Sequence, residues 1–153
     1  MKVFASALLG YRVWTVRDQQ LYPVWFDSSP WQPGENHSIC CFHAHTESIT
    51  GCQCGFYAYH SLTRAAFARA TSPRNHPVVI GAVAGRGSSQ IYHHGWRALE
   101  AQVIALYRYQ PEADEVSSRY RVPLFTSDQE LEQSVYPEVC LAPSSLIPSL
   151  VCR

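Results

Sequence analysis

Residues 31–59 of this chain read WQPGENHSICCFHAHTESITGCQCGFYAY and contain four of its six cysteines and three of its seven histidines. Cys sulfur and His nitrogen are the donors that structural zinc prefers, so this concentration of thiols and imidazoles is typical of a zinc site. Cys52 and Cys54 are separated by one residue, so in extended chain both side chains project to the same face and can reach one ion. Gly55 then permits a tight backbone turn. The stretch predicts a zinc-stapled loop.

The residues alone leave the other two zinc ligands open. Cys40, Cys41, His43 and His45 all lie within reach along the chain. Cys40 with His45 encloses enough chain to fold back on the Cys-Gln-Cys turn, whereas Cys41 with His43 is feasible but shorter and stiffer. A disulfide within the cluster is the alternative to a metal, and it requires an oxidising compartment.

Four short motifs stand out along the chain: G-Y-R-V-W from Gly10, W-Q-P-G from Trp31, C-Q-C-G-F-Y-A-Y from Cys52 and G-W-R-A from Gly95. Together they resemble an uncharacterised family of small proteins from actinobacteria and their phages. In those relatives a Cys follows the Trp of W-x-P-G by nine residues and a His precedes C-x-C-G by seven, as Cys40 and His45 do here. The chain departs from the pattern at Glu47 and Ser48, where relatives often have Ala-Pro.

The resemblance implies a ligand set and a metal, but no activity, because the family has none assigned. The implied zinc ligands are Cys40, His45, Cys52 and Cys54. Four protein ligands leave no coordination position for water, so the implied zinc is structural rather than catalytic.

Length and composition predict one domain with a single core. The chain has 153 residues, of which 46% are hydrophobic and 16% charged. We expect a zinc-stabilised domain over residues 1–136 and a Pro/Ser-rich C-terminal tail over residues 137–153. The 12 basic and 12 acidic residues balance, which removes the positive charge that nonspecific nucleic-acid binding needs.

The apolar residues give no sign of a membrane segment. No stretch approaches the roughly 20 apolar residues that span a bilayer, so no membrane partner is expected. The apolar run after Lys2 is short for a secretory signal and passes directly into a strand pattern without a separate cleavage region. The prediction is a cytoplasmic protein, in which clustered cysteines bind metal more often than they pair.

The hydrophobic pattern predicts an α+β fold with a mostly antiparallel sheet and two or three short helices. Residues 11–16 and 21–25 predict a hairpin, with Pro23 at an edge or bulge. Strands are predicted for FYAYH (56–60), for PVVIGAVAG (77–85) and, against some helical propensity, for the segment that includes residues 96–107. The glycine-rich GRGSS (85–89) between the last two predicts a hairpin turn.

Three helices are predicted from capping signals and periodicity. Ser61 is a candidate N-cap for residues 62–70, in which Leu62, Ala66, Phe67 and Ala70 can share a face. Pro111 suits the first turn of a second helix, with Ala113, Val116 and Tyr120 on one side. After the short strand VPLF, Ser127 and Glu130 have the spacing of a capping box for a third helix through Leu131 and Val135.

Outside the cysteine cluster, the candidate ligand or partner surface consists of Trp31, His93, Trp96 and Arg97. The four tryptophans Trp14, Trp25, Trp31 and Trp96 could line a shared pocket, although large aromatics in small domains are more often core. His93, His94, Arg97 and Glu100 lie within eight residues, but on a strand Arg97 and Glu100 point to opposite sides and form no catalytic pair. A solvated strand face is therefore predicted for these residues.

Three hypotheses for function follow. The first is a zinc-stabilised binding or adaptor module for a protein or small ligand. The second is a small enzyme that uses an open metal position or the thiol of Cys41 beside His43. The third, recognition of nucleic acid by an arginine-lined face, is disfavoured by the zero net charge.

Overall fold

The computed structural model describes residues 7–24, 29–38, 54–72, 75–108 and 111–135. These residues form an α+β fold in which seven strands make one mostly antiparallel sheet and three helices pack on it. The elements in chain order are β1 (Leu8–Arg17), β2 (Gln20–Pro23), β3 (Glu35–His37), β4 (Phe56–Tyr59), α1 (Leu62–Ala70), β5 (Val78–Ile91), β6 (Gly95–Tyr107), α2 (Glu112–Tyr120), β7 (Leu124–Phe125) and α3 (Asp128–Val135). None of the described helices is long and apolar enough to cross a membrane. The predicted tail, residues 137–153, lies outside the described residues.

The predicted N-terminal hairpin is confirmed. β1 and β2 pair antiparallel, with Arg17 opposite Gln20, so only Asp18 and Gln19 form the turn. Both turn residues have positive φ, at 49° and 60°, which is the conformation of a type I′ turn and matches the twist of the flanking strands. β2 is at the end of the sheet and terminates at Pro23, as expected for a residue that cannot donate to a ladder.

A long hairpin of β5 and β6 forms the centre of the sheet and confirms both predicted strands. The prediction that residues 85–89 form its turn is wrong. β5 continues to Ile91, and the turn comprises residues 92–94, with Tyr92 N donating to Gly95 O at 2.7 Å. The glycine-rich stretch instead shifts the register between Arg86 and Ser89, where Gly87 has a φ of 74°. Glycine at positive φ is as typical of a β-bulge as of a turn, and the sequence does not distinguish them.

The strand β4 closes the sheet on itself. It pairs with β6 over Phe56–Tyr59 and with β1 through Tyr11 and Tyr59, while β5 pairs with β1 and β6. The strands β1, β5, β6 and β4 therefore form a ring. β3 and the parallel β7 extend the edge of β6 that β4 occupies.

Glycines make room for a tryptophan inside this ring. Trp96 is 1% exposed, and its Nε1 donates to Leu9 O at 3.1 Å. A Cβ on Gly85 would lie 2.4 Å from the Trp96 ring, and a Cβ on Gly10 would lie 2.7 Å from its Nε1. No side chain larger than hydrogen fits at these two positions without moving the indole.

The sheet has an apolar core on each side. One side packs α2 through Ala113, Val116 and Tyr120, as predicted. The other side packs α1 and Leu131 of α3. The residues buried from α1 are Leu62, Ala65 and Ala68. The predicted face is therefore wrong for Phe67, which is 66% exposed, and for the exposed Ala70, while Ala66 is partly buried against this core.

The capping predictions hold in most of their detail. Ser61 Oγ accepts from Arg64 N at 3.2 Å at the start of α1. Ser127 Oγ accepts from Glu130 N at 3.2 Å at the start of α3. Glu130 does not complete the predicted capping box in the described contacts, since its Oε2 accepts from Thr126 N at 3.2 Å. The helices begin where the sequence predicts because these bonds satisfy N–H groups that have no helical partner.

Candidate functional site

The proposed zinc ligands lie mostly outside the described residues. Cys40, His45 and Cys52, like the alternatives Cys41 and His43, belong to the segment 39–53. Cys54 is described and half-buried, just before β4. Within the described ranges, no group of three or more Cys, His, Asp or Glu could hold a metal ion.

Ser38 and Gly55, described residues on either side of the segment 39–53, lie side by side. Gly55 N donates to Ser38 Oγ at 3.0 Å, and Ser38 N donates to Leu99 O of β6 at 2.8 Å. Gly55 has a φ of 104°, and a Cβ there would lie 2.9 Å from Ala98 O. Glycine is thus required for the chain to return this closely against β6. Cys40 and Cys54 are therefore each within two residues of a hydrogen-bonded pair.

Arg97 binds the main chain next to Gly55 from the interior of the fold. Its Nη1 donates to Cys54 O at 2.9 Å, and its Nη2 donates to Gln90 Oε1 at 2.9 Å. Arg97 is only 1% exposed and does not line the cleft described below, so the prediction of a solvated face is wrong for this residue. An arginine that alternates with apolar residues on a strand usually faces solvent, and for this reason the sequence pattern predicted an exposed Arg97.

A cleft of about 980 Å³ lies beside Ser38 and Gly55. Its aromatic lining consists of Trp31, Phe56, Tyr57, Tyr59, Tyr92 and Trp96. Trp31 makes edge-to-face contacts with Trp14 and Phe56, with ring centroids 5.4 Å and 4.8 Å away, which restrain its orientation. The cleft lining around Trp31 and Phe56, referred to below as the aromatic wall, is therefore a packed aromatic surface.

The main chain at Trp31 is also hydrogen-bonded to Tyr120 of α2. The Tyr120 hydroxyl donates to Trp31 O and accepts from Leu21 N, and Trp31 N donates to Leu21 O at 2.8 Å. Burial raises the pKa of Tyr120, so this hydroxyl stays protonated and can donate. The backbone at Trp31 is thereby bonded to β2 and to α2.

Polar groups in the lining are few. They include Arg12, Ser29, Ser38 and His94. The guanidinium carbon of Arg12 lies 4.8 Å from the centroid of the Trp31 ring, and Nη1 donates to Tyr57 O at 2.6 Å. Burial lowers the pKa of Arg12 to about 10, which leaves it cationic at neutral pH.

At the turn between β5 and β6, histidines lie beside an arginine. His94 Nε2 is 3.0 Å from Arg64 Nη2, and the His93 and His94 rings make an edge-to-face contact with centroids 4.4 Å apart. Although His94 is exposed, partial desolvation and then the positive charges of Arg64, His93 and His60 lower its pKa. Neutral His94 can accept a hydrogen bond from Arg64.

The structure separates the residues of the predicted ligand surface. Trp31 and Trp96 line the cleft, Arg97 is interior, and His93 is exposed at the turn outside the lining. Of the other tryptophans, Trp14 is fully buried core, and Trp25 lies outside the described residues.

The sequence pattern did not indicate Arg12 or the tyrosines of β4 and the β5–β6 turn as cleft residues. One signal was present for Arg12, namely a charged residue flanked by Tyr11, Val13 and Trp14 in a predicted strand. The tyrosines gave no signal, because they meet only when β4 pairs with β1 and β6.

The described lining of the cleft is mostly apolar and aromatic. Among its described lining residues there is no carboxylate, and the imidazole of His94 is directed at Arg64. No described lining residue therefore pairs a nucleophile with a base.

Comparison of this chain with protein-family models, with curated proteins and with solved structures finds no match.

Proposed function

We propose that this protein is a zinc-stabilised binding module whose cleft takes a small organic ligand with an apolar body. The observation that carries the proposal is the aromatic-walled cleft of about 980 Å³. Small-molecule sites are typically concavities of about 300 to 1,000 Å³, mostly apolar and with a few polar groups that orient the ligand. A small molecule is favoured over a protein partner because the aromatic surface is concave.

The proposed zinc, bound by Cys40, His45, Cys52 and Cys54, stabilises the wall of the cleft. Support comes from the hydrogen bond between Ser38 and Gly55, which both line the cleft. These two residues flank the part of the chain that contains all four proposed ligands. Along the chain, Cys40 is two residues from Ser38 and Cys54 is one residue from Gly55. A metal that joins them would restrict the chain entropy of the loop between them.

Metal analysis of protein purified without chelator tests the zinc. We expect stoichiometric zinc and a cooperative loss of folded structure when a chelator removes it. Cys40→Ser should lower both zinc content and thermal stability. Cys41→Ser is the matched control, because it changes the adjacent thiol and should leave both unchanged.

Two results would contradict the zinc proposal. One is protein that contains no bound metal when prepared in the presence of zinc. The other is a Cys41→Ser variant that loses as much zinc as Cys40→Ser, which would reassign the ligands.

Ligand-observed NMR with a set of aromatic fragments tests the cleft, and intrinsic tryptophan fluorescence reports on Trp31 and Trp96. Tyr57, which is 43% exposed and lines the cleft, is changed to alanine. We expect Tyr57→Ala to weaken binding by about three- to tenfold, as expected for the loss of one aromatic contact. Phe67→Ala removes an aromatic ring that is 66% exposed on α1 and does not line the cleft, so it should have no effect.

Absence of binding by every fragment would refute the binding function. Equal weakening by Tyr57→Ala and Phe67→Ala would show that the fragments bind somewhere other than this cleft.

A further inference from the structure

Arg12 is placed in the cleft by the main sheet. It belongs to β1. Its neighbours in sequence, Tyr11 and Val13, are buried on the side of the sheet that α1 covers. Arg12 extends from the strand in the other direction, to the ring of Trp31 at 4.8 Å and to the carbonyl of Tyr57. These two contacts orient the planar guanidinium at the aromatic wall.

The charge of Arg12 is not balanced within the described part of the chain. No carboxylate there lies within 4.0 Å of its guanidinium, and its one hydrogen bond to a described residue is from Nη1 to Tyr57 O. Its Nε is buried and donates no hydrogen bond. A cation that has lost water without gaining an anion is destabilising, because its desolvation is not offset.

Two other described arginines pair with carboxylates. Arg86 pairs with Glu35 and Arg108 with Asp114, each at 3.2 Å and near the surface. Arg12 differs because it faces an apolar cleft with room for a ligand. Arg12 is half-buried, with its Nε fully buried, and an anion that arrives with the ligand would offset the water that the guanidinium has lost.

We infer that the ligand is a monoanionic organic acid, whose aromatic or branched apolar body lies against the exposed lining rings of Tyr57 and Tyr92 and whose carboxylate accepts hydrogen bonds from Arg12. This inference rests on the proposed binding function. A carboxylate fits better than a phosphate, because a phosphate brings more negative charge and three acceptor oxygens. Arg12 is the only Arg or Lys side chain among the described lining residues.

The guanidinium of Arg12 can itself satisfy both oxygens of one carboxylate. Its planar fork carries five N–H donors, and Nη1 alone has a described hydrogen-bond acceptor, Tyr57 O. The aromatic lining then excludes water from the pair and strengthens it.

Matched acids and amides test the inference on the full chain. The probes are phenylacetate, 4-phenylbutyrate, indole-3-acetate and 2-naphthoate, each compared with its primary amide. Chemical shifts in the heteronuclear NMR spectrum locate binding and give dissociation constants. We expect at least one acid to bind about tenfold or more tightly than its amide, the usual range for hydrogen bonds to a charged group.

Variants identify the residue responsible. Arg12→Gln should bring the affinity for the acid down to that for the amide, and Arg12→Lys should retain part of the preference. Arg17→Gln is the control, since Arg17 is on the same strand, stacks on Tyr22 at 3.9 Å and does not line the cleft. Arg17→Gln should leave the preference unchanged.

The outcomes separate the inference from the function on which it rests. If acids and amides bind equally in the cleft of the unmodified protein, the carboxylate inference fails and the binding function stands. This comparison requires no variant to fold. If no member of the panel binds, both fail. If the acid preference survives in folded Arg12→Gln, the anion is bound by another residue and the inference is wrong.

Discussion

Arg97 donates a hydrogen bond to the main-chain carbonyl of Cys54, 2.9 Å away. This bond joins the interior of the sheet to the residue that follows the segment 39–53. The same guanidinium bonds Gln90 on β5 and lies over the Tyr57 ring, with 5.8 Å from its carbon to the ring centroid. One buried side chain therefore connects β5, β6 and the start of β4. The position of Cys54 therefore depends on contacts made within the fold itself.

Replacing Arg97 with lysine should destabilise the protein. Lysine cannot reproduce the two divergent hydrogen bonds to Cys54 O and Gln90 Oε1, and its charge would be buried with fewer partners. We expect the free energy of unfolding to fall by about 2–4 kcal/mol in denaturant titrations. Arg86→Lys alters the partly exposed ion pair with Glu35 and should cost less than about 1 kcal/mol. Similar values for the two variants would show that the Arg97 contacts contribute little.

Tyr120→Phe should leave two main-chain groups without their partner. Leu21 N and Trp31 O both bond the Tyr120 hydroxyl in the core. We expect a loss of about 1–3 kcal/mol in the free energy of unfolding. Tyr22→Phe removes a hydroxyl that bonds only the side chain of Gln20 among the described contacts, so its effect should be smaller. An equal effect of the two substitutions would contradict the proposed role of Tyr120.

Tyr120 should also make stability depend on alkaline pH. Burial raises its pKa in the folded protein, so its contribution is fully present below the ordinary tyrosine pKa of about 10 and is lost as the pH rises through the folded value. Unfolding measured at a series of pH values should show this decline, and Tyr120→Phe should reduce it. A decline that is identical in the variant would assign the effect to other groups.

Gly85→Ala should displace the indole of Trp96. The new Cβ would lie 2.4 Å from that ring, which Gly10 confines on another side. Overpacking of this kind costs about 1–3 kcal/mol, and tryptophan fluorescence should change in the folded state. Ser89→Ala introduces the same residue at an exposed position of β5 and should change neither quantity. A fully stable Gly85→Ala protein would mean that the ring accommodates the methyl group.

Arg64→Gln should raise the pKa of His94. Partial desolvation and then the positive charge of Arg64 hold that pKa below the ordinary value, and the substitution removes the charge. NMR titration of the imidazole signals measures the shift, with Arg69→Gln on the same helix as control. Because the folded pKa is depressed, the unfolded state binds the proton first, and stability should fall as the pH drops below the ordinary histidine value. A His94 pKa that Arg64→Gln does not change would exclude electrostatic coupling between the two.

The zinc ligands illustrate how far a local pattern can reach. The spacing of Cys52 and Cys54 is a property of the chain, and it predicts a shared ion without reference to the rest of the fold. The choice of Cys40 and His45 rests on a resemblance, and it stays a prediction. The structure adds two hydrogen bonds that no local pattern indicates, Ser38–Gly55 and Arg97–Cys54. Both involve residues that flank the segment 39–53.

What the sequence by itself determined is the class of fold and most of its elements. Alternation, capping residues and prolines predict the first hairpin, the helix starts at Ser61 and Ser127, and the buried strand from Val78, because each depends on interactions between near neighbours in the chain. Only the tertiary structure decided where β5 turns, which face of α1 is buried, and that Arg97 is interior while Arg12 faces an aromatic cleft. These depend on β4 closing the ring between β1 and β6. That pairing brings together residues distant in sequence, and burial at each position follows from it rather than from local periodicity.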